Sequence, residues 1–309
     1  MSIAIAGSGD LTRYLTEELL AANLPVVLLT RSKKPHFNLP NVTQEVVDYT
    51  SVPSLVSALN THNAIALIST ILTYDVEEFI SVHRNLIAAA SESTQCKRFI
   101  PSEYGVNIEE YPDQPGFYYD TREPIRELLR GQTGLEWTLV CCGWVVDYIL
   151  PGKNRYMKDI GDAVPGNLEE RRMVIPGIGK EKVDFISARD LAKGLVGLVR
   201  AVPGSWEEYA YLSGEQASCD ELVRRVTKPY TGVEFEVQYL SLRELVCAVR
   251  DAEGEFERIE AEYKLVIPSA AAALDPAKVE RHRGMYFWKI RFRTVQEVLD
   301  AAGDGDAIV

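Results

Sequence analysis

Cysteine is scarce and unpatterned, with five residues in 309 (Cys96, Cys141, Cys142, Cys219 and Cys247) and no CxxC pair. An odd number of thiols without ligand spacing argues against a disulfide framework and against a structural zinc site. Histidine is scarcer still: the four residues His36, His62, His83 and His282 form no HExxH-like pair, so no metal is expected. No stretch approaches the roughly 18 consecutive apolar residues that a spanning helix needs. The opening, MSIAIAGSGD, has neither a basic leader nor a cleavage site, and a cytoplasmic protein with no membrane partner is expected. Positive charge is in the minority, 33 Lys and Arg against 45 Asp and Glu, for a formal net charge of −12. That is the wrong sign for gripping phosphate backbones over a broad face, so no nucleic-acid partner is expected.

Apolar residues, in contrast, are plentiful. At 46% of 309 residues they suffice for one large α/β domain and a smaller appendage, and they exclude disordered and fibrous chains. Residues 2–6 (SIAIA) read as a strand, residues 11–22 place Leu11, Leu15, Leu19 and Leu20 on one helical face, and residues 26–30 read as the next strand. Strands at 43–48, 64–69, 98–101 and 136–141 continue the alternation, with helices opening near Thr50 and Ser51 and spanning 75–91 and 121–130. Repeated βαβ units predict an α/β fold with a doubly wound parallel sheet, whose ligand sits beyond the carboxyl ends of the strands. After Pro151 the chain becomes charged and turn-rich. The expected organisation is a nucleotide-binding domain over 1–151 and a smaller, mainly helical substrate-side lobe over 152–309. That lobe interleaves with the sheet, to which the helix at 188–199 and the strand after it return; further helices are expected at 219–227, 241–253 and 294–302.

The residues after each strand are therefore the candidates. The first turn reads Gly7-Ser8-Gly9-Asp10-Leu11-Thr12. Two glycines suit a tight strand-to-helix turn and let backbone N–H groups approach a pyrophosphate at a helix N-terminus, although Thr12 stands where GxGxxG has its third glycine. Asp10 beside phosphates is repulsive unless it points away. The second strand ends in Thr30-Arg31-Ser32-Lys33-Lys34. A ribose 2′-hydroxyl is held by an acidic residue in this region and a 2′-phosphate by basic ones, so the spacing favours NADP(H) over NAD(H).

The segments GSGDLTRYL, LTRSKKP, VDYTS, ISTI, FIPSEYGVN and LEWTLVCCGWVVDYILPG, in this order, resemble the NmrA-like and isoflavone-reductase-like atypical short-chain dehydrogenases, particularly their fungal members. The resemblance implies a Rossmann-type domain that binds NADP(H), with reductases of phenolic and other secondary metabolites among the enzymes and dinucleotide-sensing regulators among the non-enzymes. It puts the pyrophosphate on Gly7, Ser8, Gly9, Asp10 and Leu11, and the 2′-phosphate on Arg31 and Lys34. Ser69, Thr70 and Ile71 line the cofactor in this reading, and Pro101, Ser102 and Glu103 lie toward the nicotinamide; Ser102 and Glu103 could equally cap a turn. Gly143, Trp144, Val145 and Tyr148 face the metabolite or pack as structural residues.

The family's reductases rely on a lysine in the helix after the PSE loop, and Arg122 stands at that place. A lysine near a cationic nicotinamide can exchange protons, whereas arginine stays protonated and can only clamp or orient. Tyr118 and Arg122 have the spacing of a YxxxK pair with arginine for lysine, so Tyr118 or Tyr119 is the candidate proton donor. Asp120 and Glu123 read as a capping box that starts the helix. The adjacent Cys141 and Cys142 read as buried packing, His83 and His282 as surface or interhelix groups, Asp190 as a helix cap, and residues 285–288 (MYFW) as a docking segment or pocket wall. The expected function is NADP(H)-dependent hydride transfer to or from a small aromatic or polyketide-like metabolite. The alternatives are an NADP-sensing protein without turnover, or a non-redox enzyme on the same fold.

Overall fold

A computed structural model describes residues 1–228, 233–303 and 305–309. The chain divides into two compact units, one comprising Met1–Tyr104, Asp120–Val140 and Ala192–Ala210, the other Gly105–Tyr119, Cys141–Leu191 and Tyr211–Val309.

The first unit holds a six-stranded, all-parallel sheet. β1 (Ser2–Ala6), β2 (Val26–Thr30), β3 (Val42–Val46), β4 (Ala64–Ser69) and β5 (Arg98–Ile100) are joined by a short strand at Glu136–Trp137, in the order β3-β2-β1-β4-β5-Glu136–Trp137. β1 and β2 are buried at every residue, which is why, Ser2 and Thr30 at their ends apart, they read as apolar runs rather than alternating ones. β3 lies at the edge and is only partly covered. Helices α1 (Asp10–Ala21), α2 (Val52–Thr61) and α3 (Val76–Glu92) follow β1, β3 and β4. Ser51 caps α2 by accepting from the Ser54 N–H, and Asp75 caps α3 by accepting from that of Glu78. The chain runs outward from β1 to β3 and then restarts at β4 on the other side of β1. The carboxyl ends of β1 and β4 thus flank the switch point where such sheets bind ligands.

Three local expectations are corrected. Helix α4 covers Gly116–Arg130, beginning five residues before the predicted start. Asp120 therefore lies inside the helix and caps nothing; the Phe117 N–H is taken instead by Glu262 Oε2 at 2.5 Å. Of the two placements expected for His83, surface or between helices, the surface one fails: His83 is fully buried, on the α3 face that also buries Phe79, Val82 and Leu86. The run predicted as one strand at 136–141 is broken at Thr138 into Glu136–Trp137 and Leu139–Cys141.

The second unit contains two three-stranded sheets. Arg172–Pro176 lies between Gly166–Asn167 and Glu236–Leu240, and Lys182–Ile186 between Glu215–Ser218 and Trp144–Val145. Helix α5 (Ala188–Arg200) leads from this unit into the first. Asp190 is buried near its start and accepts from the Arg293 N–H at 2.8 Å, while the Asp190 N–H is itself capped by Ser187 Oγ at 3.0 Å. Asp184, central in its sheet, accepts from Ser213, Gln216 and the Leu274 N–H, and burial raises its pKa. Helices α6 (Cys219–Thr227), α7 (Leu242–Asp251), α8 (Glu255–Leu265), α9 (Pro276–Tyr286) and α10 (Val295–Gly303) complete the unit. His282 on α9 is also buried, accepting the Tyr211 N–H at 2.9 Å.

Candidate functional site

The turn after β1 is built to leave backbone exposed at the start of α1. Gly7 has φ +110°, and its N–H is shared between the Leu29 carbonyl at 3.1 Å and the Tyr49 hydroxyl at 3.0 Å. A Cβ there would sit 2.8 Å from Thr70 Oγ1, so only glycine fits. Gly9, the N-cap, is different: a Cβ would meet nothing within 4 Å, so the space before the helix is open. The first-turn N–H groups and the helix dipole make such an end favourable for an anion. Thr12 is fully buried and pairs with Thr70 at 2.8 Å between the hydroxyls. Standing where a third glycine is usual, it ties α1 to the loop after β4 and leaves the space before the helix open. Asp10 opens α1, where the dipole favours a carboxylate, and Ser8 Oγ accepts from Thr30 Oγ1 at 3.3 Å. Leu11 is half-buried behind it.

Arg31 and Lys34 are both exposed beyond β2. The Arg31 guanidinium donates to Glu78 Oε1 of α3 at 2.5 Å, and Glu78 Oε2 accepts from Thr73 Oγ1 at 2.8 Å. Lys34 has its backbone held on both sides by the Gln44 amide, at 2.7 and 3.0 Å.

The loops after β4 and β5 are joined by His83. Its Nδ1–H donates to the Phe79 carbonyl at 2.9 Å, leaving Nε2 to accept from the Ser69 hydroxyl at 3.0 Å and from the Ser102 N–H at 3.4 Å. This pattern assigns one neutral tautomer. Burial, and secondarily the Arg122 charge, hold the His83 pKa down to about 3. The Ser69 carbonyl accepts from the Tyr104 hydroxyl at 2.6 Å. Thr70 and Ile71 follow directly, with the Thr70 N–H given to the Ala6 carbonyl at 2.8 Å. In the next loop the Glu103 N–H bonds back to the Pro101 carbonyl at 2.8 Å. The Glu103 carboxylate is taken by Arg126, buried on α4, which also bonds Glu123 at 2.9 Å.

Arg122 is buried as well. Its guanidinium lies 4.1 Å from the Phe79 ring centroid and donates to Thr121 Oγ1 at 2.5 Å, and the same Phe79 ring stacks on His83 at 4.0 Å. The cation therefore acts at a fixed place, with an aromatic face supplying part of its solvation.

In the second unit the candidates gather around a residue that the sequence analysis missed, Tyr263 of α8. Its hydroxyl is 2.5 Å from that of Tyr118, with the rings edge to face at 5.9 Å, and its ring is 4.9 Å from Phe117 and 5.9 Å from Trp144. The available signal was the spacing of Ile259, Tyr263 and Val266 along one helical face. Trp144 is 8% exposed and its Nε1–H has no hydrogen-bond partner among the described residues. Together with Val145, Val146, Ile149, Phe185 and Leu222 it lines a small apolar pocket. Gly143 (φ +70°) could carry no side chain, because a Cβ would lie 2.2 Å from the Asp184 carbonyl oxygen. Tyr148 is half-buried in the turn Val146–Ile149, and Tyr119 is 44% exposed. Cys141 and Cys142 are buried thiols. Among the described residues no group of three metal-ligating side chains comes together, and no helix is long and apolar enough to cross a membrane.

The chain is 46% identical over 299 residues to the oxidoreductase swnR of Arthroderma benhamiae, covering 97% of this chain and 96% of that protein; the swnR of Metarhizium robertsii matches at the same level. Among solved structures, the AtPrR2 complex with NADP+ and (+)pinoresinol superposes with a TM-score of 0.77 at 18% identity, over 97% of this chain and 98% of the other. A ternary complex of leucoanthocyanidin reductase from Vitis vinifera superposes with a TM-score of 0.75 at 19% identity, over 97% and 99% of the two chains. These two likenesses establish the Rossmann-type fold. The model of the NmrA-like family matches residues 2–299, and the chain belongs to that family.

Proposed function

We propose that the chain is an NADP(H)-dependent oxidoreductase of the atypical short-chain type, acting on a small aromatic or polyketide-like metabolite. The observation that carries this reading is the turn after β1, with Gly7 locked against Thr70 and Gly9 open before the N-terminus of α1, at the switch point of the sheet. The naming of the swnR relatives as oxidoreductases supports it. Gly7, Ser8, Gly9, Asp10 and Leu11 would hold the pyrophosphate, Arg31 and Lys34 the 2′-phosphate, and the loops Ser69–Ile71 and Pro101–Glu103 the nicotinamide riboside. The bound cofactor supplies or accepts the hydride.

The chain itself must orient the reactants and manage a proton. Arg122 stays protonated at any working pH, so it orients and stabilises negative charge without exchanging a proton. Tyr118 would pass its hydroxyl proton to an acceptor oxygen and regain one from Tyr263, with which it shares a 2.5 Å hydrogen bond, and the half-buried Tyr263 would recover its own from solvent. The Trp144 N–H, which has no hydrogen-bond partner among the described residues, would offer a donor to a substrate carbonyl or hydroxyl beside the apolar side chains of Val145, Ile149 and Phe185. Gly143, Val145 and Tyr148 belong to this substrate-side group.

Calorimetric titration with NADPH, NADP+ and NADH tests the reading. Micromolar NADPH binding that weakens at least tenfold in Arg31→Ala is expected, and absence of binding by every dinucleotide would sink it. Burial of Arg122 at the catalytic lysine's place favours a second reading, an NADP-binding sensor without turnover. Arg122→Lys separates the two: an enzyme tuned to arginine loses rate, whereas a retired site responds little.

A further inference from the structure

Arg31 is the exposed cation best placed for a 2′-phosphate in the reading above, on which this inference rests. Yet it is already committed, since its guanidinium donates to Glu78 at 2.5 Å. The carboxylate is not a loose surface group. Its second oxygen accepts from Thr73 Oγ1 at 2.8 Å, and its own backbone N–H is fixed by the Asp75 cap at 2.7 Å. The first turn of α3 carries Glu77 and Glu78 behind the Asp75 cap, so the negative potential there is built by three carboxylates and is favoured by the helix dipole.

A phosphate monoester carries between one and two negative charges near neutral pH. To reach Arg31 it must share the guanidinium with Glu78 or displace it, and it meets like charge in either case. A ribose 2′-hydroxyl meets no such penalty: it can donate to the carboxylate, the contact by which acidic residues hold the ribose of NAD. The loop after β2 therefore opposes two recognition elements. Arg31 with Lys34 favours the phosphorylated ribose, and Glu78 favours the plain one.

We propose that Glu78 is a specificity-determining residue: by holding Arg31 it restrains the preference for NADPH and keeps NADH binding within reach. Removing its charge should release Arg31 to the phosphate. Because the pair is solvent-exposed and screened, the effect should be moderate.

The test is calorimetric titration of the full-length protein with NADPH and NADH, for wild type, Glu78→Gln, Arg31→Ala and the double variant, at fixed ionic strength. Glu78→Gln should tighten NADPH roughly threefold to tenfold and leave NADH unchanged or up to about threefold weaker, as expected for a screened charge contact. In the Arg31→Ala background the same substitution should tighten NADPH by less than about twofold, since the cation it restrains is gone. An NADPH-to-NADH ratio that stays within about twofold of wild type in Glu78→Gln would refute the inference and leave the oxidoreductase reading standing. So would equal gains with and without Arg31, or an Arg31→Ala variant that binds NADPH as wild type does. Failure of every dinucleotide to bind the wild-type protein would overturn both.

Discussion

His83 is fully buried, giving its Nδ1–H to the Phe79 carbonyl and receiving the Ser69 hydroxyl and the Ser102 N–H at Nε2. A proton added to Nε2 removes the acceptor for both donors and places a charge near the Arg122 guanidinium, which lies over the Phe79 ring on which His83 stacks. Burial first, and Arg122 second, hold the folded pKa down to about 3, against 6.5 for an ordinary histidine. The folded state thus binds this proton less readily than the unfolded chain does. The stabilisation is complete above pH 6.5 and is lost as pH falls toward 3. Each pH unit costs about 1.4 kcal/mol, so the loss is about 2 kcal/mol between pH 6.5 and 5, and of order 4 kcal/mol by pH 3.5. Urea unfolding at pH 7, 6 and 5 reads this directly when wild type is compared with His83→Gln, whose amide keeps one donor and one acceptor but does not titrate. Wild type should lose about 2 kcal/mol more than the variant by pH 5. Parallel stability curves for the two proteins would refute the reasoning, because every other titrating group is common to both.

The two glycines of the first turn should behave oppositely. Gly7→Ala forces a Cβ to 2.8 Å from Thr70 Oγ1 at φ +110° and should cost about 1–3 kcal/mol of stability by thermal or urea unfolding. Gly9→Val meets no described atom within 4 Å of its Cβ, so it should cost only the roughly 1 kcal/mol of a poorer N-cap and weaken dinucleotide binding at least tenfold; unchanged binding would move the phosphate site elsewhere. Arg126→Met strands Glu103, which is 8% exposed, and should destabilise by about 3–5 kcal/mol in urea unfolding. Adding Glu103→Gln should recover part of that loss, and a single-variant cost below about 1 kcal/mol would show that the pair is not what holds α4 to the loop.

The strand-turn-helix pattern of the first unit was legible because each part of it is local. SIAIA and VVLLT are apolar at four of five residues each and do not alternate, as suits a strand covered on both faces, and Gly7 marks a turn that only glycine can make. The leucine face of α1 and the Ser51 cap of α2 likewise need only neighbours within one or two turns. The start of α4 was not legible for the converse reason. Asp120 and Glu123 have the spacing of a capping box, but the acceptor for the Phe117 N–H comes from Glu262, 145 residues away. His83 sat on the same face as Phe79 and Leu86, and that periodicity alone was enough to bury it, against the usual tendency of histidine to stay at the surface.

For the site, the sequence by itself determined where the strands end, and hence Gly7, Gly9 and Arg31 as candidates, since strand ends and turn glycines follow from local residue pattern and backbone sterics; Ser69 and Glu103 became candidates through the family resemblance of the loops that carry them. Which atoms those side chains already hold was decided by the tertiary structure alone. Arg31 is claimed by Glu78 across 47 residues, Glu103 by Arg126 across 23, and Tyr118 by Tyr263 across 145. A charged or hydroxyl group pairs with whatever partner the folded chain brings within about 3 Å, and the path that brings it there is set by the packing of whole elements, which no local pattern encodes.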